Sequence, residues 1–250
     1  MEEINIYFLL LSLLAEIIGT VGGFGSSVYF VPIAAFFLPF DQVLGLTALF
    51  HLFSNTTKIT LFREGLDRKL LLYIGLPSIA GVIIGGWMSS WFDNVLLEYI
   101  LYTFLLLFAI VLLFRPETRW KPSLSNGVIG GTLSGFVAGM LGTGGAIRGL
   151  TMSAFALSIQ GFVATSAAID LGVDLARSVV YYSEGYMVRQ IWIYIPFLLF
   201  ISIIGSYAGK YILQFLNPDN FRRFSLGSIV VIAIAGWVRL ICFSADSLLF

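Results

Sequence analysis

"LGTGGAIRGL", residues 141–150, decides how the chain folds. Three glycines and a threonine interrupt an apolar run, and a full charge, Arg148, stands three residues beyond Gly145. The run around it, 127–157, is long for one membrane crossing, and so is a second run at 4–38. As a single helix, 4–38 would extend about 52 Å at ~1.5 Å per residue, against ~30 Å of bilayer hydrocarbon. Gly22, Gly23 and Gly25 sit in the middle of the first run, as Gly142, Gly144 and Gly145 do in the second. Each run is therefore either one long, bent span or two short segments meeting at a glycine-rich turn.

The composition around these runs is that of a membrane protein. The 250 residues are 58% hydrophobic and only 11% charged, with a mean hydropathy of +0.95. A soluble domain carries about a quarter charged residues. The 23 phenylalanines suit packing between helices and against lipid. The net charge is zero, and no basic run or stripe points to nucleic acid. The lone Cys242 can form neither an internal disulfide nor a paired-cysteine metal site. No metal and no cofactor is expected, and nothing sets the oligomeric state. The N-terminal Met-Glu-Glu lacks the positive start of a cleaved leader, so the first apolar segment is expected to be retained. The whole chain, 1–250, reads as one transmembrane domain.

Displacing the chain by 120 residues superimposes its two halves without a gap. Gly19 falls on Gly139, Gly22 on Gly142 and Gly25 on Gly145, and Glu64-Gly65 falls on Glu184-Gly185. Ala34, Ala48 and Gly85 fall on Ala154, Ala168 and Gly205. One ungapped offset carrying all of these predicts two repeats, 4–114 and 124–243, joined by a polar linker at 115–123. Such repeats are typical of transporters, whose sites lie near the membrane midplane at the repeat interface.

Positive charges weigh the two readings of the glycine runs. With four full spans per half and parallel repeats, Arg63, Arg68, Lys69, Arg115, Arg119, Lys121, Arg189 and Arg239 share one face, eight against three. With turns that reverse the chain, each half has five segments and the halves are inverted. Lys210, Arg222 and Arg223 then join Arg63, Arg68, Lys69, Arg115, Arg119 and Lys121, nine against two. Both models put 63–69 and 115–121 in the cytoplasm. The inverted, five-segment, all-α architecture is the favoured expectation, and four parallel spans per half the alternative.

Ionisable residues inside spans are costly and mark functional positions. The segment 43–62 carries His51, Asn55 and Lys58, spaced four and three, on one helical face. The segment 162–182 carries Asp170, Asp174 and Arg177 with the same spacing, within one residue of the repeat offset. Matched polar faces point to a shared cavity in which these six groups line or couple transport. Lys58 also lies near enough to Arg63 to snorkel to the interface. Asp174 and Arg177 also fit a structural pair. Asp170 and Asp174 are the better proton carriers, ahead of the single histidine, because carboxylates one turn apart tend to raise one another's pKa. Glu16 is a further buried acid whose offset partner is Phe136, so it belongs to one half only.

The glycine breaks supply the complementary charge. A helix beginning at such a break presents free N–H groups and about half a positive charge, which bind anions. Gly23, Gly25, Ser26 and Ser27 in one break, and Thr143, Gly144, Gly145 and Arg148 in the other, form the predicted anion site, with Asn55 beside them. A guanidinium and hydroxyl donors suit a planar or tetrahedral oxyanion. Arg148 aligns with Val28, so its charge is not duplicated; the alternative is that it points to an acidic residue such as Asp170 or Asp174 and serves only as a structural partner.

With these features the chain resembles the TauE/SafE family of sulfite exporters and sulfonate permeases over nearly its whole length. The resemblance rests on the breaks "GTVGGFGSSVYFVP" (19–32) and "AGMLGTGGAIRGL" (138–150). It rests also on "SNTTK" (54–58) ending in "FREG" (62–65), and on the small-residue spans "GVIIGGWMSSW" (81–91) and "IIGSYAGKY" (203–211). It implies transport of sulfite or organosulfonates across a bacterial inner membrane, usually outward. The family's asparagine on the second helix matches Asn55. Asp170 and Asp174 match no family motif. Two other functions are weighed: a channel or membrane accessory protein, and an intramembrane hydrolase using Ser26 or Ser27 with His51, which the second half does not repeat. The expected partners are a small anionic solute and the lipid bilayer.

Overall fold

The structure, a computed structural model, describes residues 4–22, 25–62, 65–114, 121–215 and 218–247. Gly23, Arg63, Glu64 and the linker residues 115–120 lie outside them. Among the described residues the chain is helical and contains no strand. The first half holds α1 (Ile6–Gly22), α2 (Ser27–Ala34), α3 (Phe40–Leu61), α4 (Arg68–Ser89) and α5 (Asn94–Phe114). The second holds α6 (Leu124–Leu141), α7 (Gly145–Met152), α8 (Ile159–Ser183), α9 (Arg189–Leu213) and α10 (Pro218–Ser247).

Local chemistry sets the helix ends. The Ser123 and Ser158 hydroxyls accept from the backbone N–H groups of Asn126 (3.2 Å) and Gly161 (3.1 Å), satisfying first-turn donors. Asp67 does the same for Lys69 and Leu70. α6 stops at Gly142, whose φ of +75° is a left-handed helix end that a side chain would disfavour.

Beyond Gly142 the chain doubles back. A methyl on Gly144 would stand 2.0 Å from the Ser134 carbonyl oxygen, and one on Gly130 would stand 2.2 Å from the Thr151 hydroxyl. α7 thus returns along α6. In the first half Gly19 abuts Ser26, while Phe8, early in α1, meets Phe30 and Phe37 at ring distances of 5.8 and 5.5 Å. α2 returns along α1 in the same way. The glycine runs are therefore hairpins of two segments rather than bent single spans.

Contacts fix the direction of each long helix. α3 and α8 cross antiparallel: Gly45 lies on Tyr186, His51 on Arg177, Asn55 on Asp174 and Gly65 on Gly161. α5 and α10 are also antiparallel, with Glu98 on Arg239 and Tyr102 on Gly236. α4 and α6 run parallel at close range, Ile74, Ser78 and Val82 against Gly131, Gly135 and Gly139. α1 and α9 do likewise, Glu16 and Thr20 against Gly205 and Gly209. One end of the bundle carries 65–67 and 153–158, and the other carries 35–39, 90–93 and 184–188.

Among the described residues six helical stretches are long and apolar enough to cross a membrane: α4, α5, α6, α8, α9 and residues 225–242 of α10. Their outward faces carry Trp87, Phe114, Val179, Phe200 and Tyr207, all exposed, as lipid contact requires. The protein is a multi-pass membrane protein. α3 is not among the six. Its polar residues depress its hydropathy, and it runs through the interior with most of its length buried.

The close approach of α4 to α6 depends on glycine. A methyl on Gly135 would sit 1.9 Å from the Ser78 carbonyl oxygen, so Gly135→Ala must push two backbones apart. Overpacking of this kind costs about 1–3 kcal/mol. Its unfolding midpoint, titrated with SDS in mixed micelles, is expected to fall. Gly127→Ala is the control, because its methyl would meet its neighbours at an ordinary 3.6–3.8 Å. Equal midpoints for the two variants would contradict the α4–α6 approach.

Candidate functional site

Both glycine breaks open onto one cavity. The space, about 320 Å³ including the part open to solvent, is lined by Gly25, Ser26 and Ser27 of the first break, and by Ala138, Gly142 and Gly144 of the second. α3 adds His51, Asn55 and Lys58, and α8 adds Asp170, Val173, Asp174 and Arg177. His51 is near the midpoint of α3 and Asp170 near that of α8, so the cavity lies at mid-depth. The breaks touch where Thr143 donates to the Ser27 hydroxyl at 3.3 Å. The first N–H groups of α2 and α7, which have no intrahelical acceptor, begin at this junction. Gly145 is buried at the start of α7.

A second cavity of about 300 Å³ shares Gly25, Asn55, Lys58 and Asp170 with the first. It reaches Phe162 and Val163 in the first turn of α8, and so leads to the end of the bundle carrying 153–158. The opposite side is packed shut. Gly142 lies against Leu44 and Val31. The Tyr181 hydroxyl donates to the carbonyls of Gly139 (2.6 Å) and Ala138 (3.2 Å). Tyr181 packs on Tyr186 at 5.5 Å, and Tyr186 bonds Ser89 at 3.1 Å. Tyr186 stands in the turn between α8 and α9, where partial burial raises its phenol above the ordinary value and keeps it a neutral hydrogen-bonding group.

Six charges surround this space, and the structure joins them in three pairs. The Arg148 guanidinium forks onto both Asp170 oxygens, and its Nε donates to Ser166 at 3.0 Å. Arg177 binds Asp174 at 2.7 Å, and Asn55 donates to the other Asp174 oxygen at 2.6 Å. Lys58 does not snorkel outward; it is buried and binds Glu16 at 2.9 Å. The same Glu16 oxygen accepts from Ser54 (2.7 Å) and Ser206 (2.9 Å), tying α1, α3 and α9 together. The other Glu16 oxygen has no hydrogen-bond partner among the described residues.

Arg177 works mainly on the backbone. It donates to the Gly142 carbonyl at 2.8 Å and approaches that of Ala138 at 3.5 Å, placing a cation at the negative end of α6. It also contacts His51 Nδ1 at 3.2 Å. A guanidinium only donates, so Nδ1 accepts, and the imidazole carries its proton on Nε2. Nε2 faces the Ser26 hydroxyl at 3.2 Å and therefore donates to it. Serine and histidine are within reach, yet an imidazole that already donates to a serine is no base for it. The geometry gives the hydrolase reading a neighbouring pair without an activated nucleophile.

The predicted residues thus fall together, apart from Gly23, which lies outside the described residues. Arg148 faces the junction from α7, but its charge is taken by Asp170. Ser166, Ser54 and Ser206 were missed. Ser166 had a signal, standing one turn before Asp170 on the polar face of α8. Ser206 had none, since only the α1–α9 contact brings it to Glu16.

Two comparisons with known proteins cover most of the chain. A family model, sulfite exporter TauE/SafE, matches residues 8–236. A probable membrane transporter protein of Methanocaldococcus jannaschii is 24% identical, over 86% of this chain and 88% of its own. No solved structure matches the chain. With its match running from α1 into α10, this chain belongs to the sulfite exporter TauE/SafE family of membrane transporters.

Proposed function

We propose that the protein is a secondary carrier for a small sulfur-containing anion, sulfite or an organosulfonate, working by alternating access with proton coupling. One observation carries the reading: two half-helix N-termini converge at mid-depth on a single polar cavity between the halves. Each N-terminus supplies N–H donors and partial positive charge to an anion. Three cations and three carboxylates balance around the cavity. An anion entering alone would leave a buried negative charge, and a proton on Asp170 or Asp174 removes it.

The halves are read as inverted repeats. Supporting this, equivalent helices pack on one another antiparallel, α3 on α8 and α5 on α10, and α1 on α9 mirrors α6 on α4. A two-fold axis exchanging antiparallel partners lies across them, in the membrane plane. Gly65 and Gly185, 120 residues apart, both take positive φ, +88° and +79°. The sequence's excess of positive charge, nine against two in the inverted reading, assigns the end carrying Arg68, Lys69, Lys121 and Lys210 to the cytoplasm of a prokaryotic inner membrane. The open path leads to that end, so the conformation faces the cytoplasm. Rocking at the α3–α8 contact would open the opposite path.

In proteoliposomes, uptake of radiolabelled sulfite or methanesulfonate is expected to saturate and to respond to an imposed pH gradient. Arg148→Ala should lower it at least about tenfold, equivalent to ~1.4 kcal/mol, at equal protein level. Flux linear in concentration and indifferent to the gradient would make the protein a pore. Unchanged flux in the variant would remove Arg148 from the site.

A further inference from the structure

We propose that the Asp170 carboxylate is a tethered occupant of the transported anion's own seat on Arg148, released by one proton for each anion bound. The inference rests on the carrier reading above and specifies its site. Arg148 meets Asp170 fork to fork, the arrangement in which guanidinium recognises any group presenting two oxygens on one centre. The seat lies at the first break. A methyl on Gly25 would stand 3.5 Å from Arg148 Nη2, 3.9 Å from an Asp170 oxygen and 3.9 Å from the Ser27 hydroxyl. Asp170 therefore occupies the approach to the start of α2, where an anion is attracted.

The other two pairs are closed. The side chains of Glu16 and Asp174 are 0% and 3% exposed, and each carries further hydrogen bonds. Asp170 is 19% exposed while its arginine is 3% exposed, and it alone of the three acids lines both cavities. It is the most exposed of the three carboxylates, and the hydrogen bonds that hold it come from Arg148.

The exchange balances. Before it, Arg148 faces a carboxylate. After it, Arg148 faces the anion and Asp170 is a neutral acid. The only bond made is the O–H on Asp170, and the one broken is that of the hydronium or buffer acid that delivers the proton from bulk solution and keeps its conjugate base there. Charges facing Asp170 are Arg148 from α7, Lys58 from α3, and Arg177 and Asp174 from its own helix. His51 of α3 is neutral, and Glu16 of α1 is held by Lys58. Of these only Arg148 must change partners. The ligand class is an oxyanion with two terminal oxygens on one atom, such as a sulfite, sulfonate or small carboxylate. A spherical halide offers one acceptor centre in place of two oxygens and does not match the parallel fork.

The test is calorimetric titration of the purified full-length protein with sulfite and with methanesulfonate, in buffers of different ionisation enthalpy and at several pH values. Wild type is expected to take up one proton per anion, its affinity falling about tenfold per pH unit as pH rises. Asp170→Asn should bind at least as tightly, with one proton fewer taken up and no such pH dependence. The difference between the two proteins cancels any proton carried by the probe. Chloride should not compete. If wild type binds neither probe, the carrier reading itself fails. Binding without proton uptake in wild type, or a wild-type pH dependence retained by Asp170→Asn, overturns the tethered occupant and leaves the carrier reading standing. Should Asp170→Asn not fold, the wild-type proton count decides alone.

Discussion

Arg177→Ala is expected to destabilise the fold by about 3–5 kcal/mol, the range for breaking a buried ion pair from one side. Three losses act together. Asp174 is left inside the bundle with Asn55 as the one side chain that binds its carboxylate among the described residues. The carbonyls of Gly142 and Ala138 lose their donor at the end of α6. His51 loses the contact that orients its ring. Arg177→Lys is not expected to rescue, because one ammonium cannot reach the carboxylate, two carbonyls and the imidazole that the planar fork spans. Adding Asp174→Asn to Arg177→Ala removes the stranded charge and should restore part of the loss. Unfolding titrated with SDS in mixed micelles reads all three variants. Wild-type stability in Arg177→Ala would show that α6 is not held by this guanidinium.

Lys58→Met is expected to cost a similar ~3–5 kcal/mol for the same reason. It strands Glu16, a carboxylate of zero exposure that already has one oxygen without a hydrogen-bond partner among the described residues. The serine hydroxyls of Ser54 and Ser206 cannot neutralise it. The double variant Glu16→Gln/Lys58→Met removes both charges and should return near wild-type stability, since a buried pair replaced whole is often neutral. The coupling energy of the cycle is thus expected to approach the cost of the single change. A coupling below about 0.5 kcal/mol, the level at which independent sites add, would mean that Glu16 and Lys58 do not share a charge. Because Glu16 joins α1 to both α3 and α9, the single variant should also lose transport.

These two clusters show how far helical periodicity reaches. Spacings of four and three put His51, Asn55 and Lys58 on one face of α3, and Asp170, Asp174 and Arg177 on one face of α8, and the structure turns those two faces toward each other. Periodicity says which residues share a face. It does not say which faces meet or in what register. Lys58 could reach the interface or a buried acid, and only the packing of α1 beside α3 brings it Glu16. Arg148 could serve an anion or a carboxylate, and the α7–α8 contact gives it Asp170 and Ser166.

The sequence by itself determined the membrane class, the positions of both glycine breaks, and the helices that carry charge into the interior. Each follows from local chemistry: hydropathy, glycine's missing side chain, and the pitch of a helix. Only the tertiary structure decided that the breaks are hairpins, that they touch through Ser27 and Thr143, and which cation holds which acid. Those choices depend on how closely backbones approach. Gly131, Gly135 and Gly139 let α6 settle against α4, while Gly205 and Gly209 admit Glu16 and Thr20 of α1. Such contacts join residues far apart in the chain, and the depth at which helices lock together sets them.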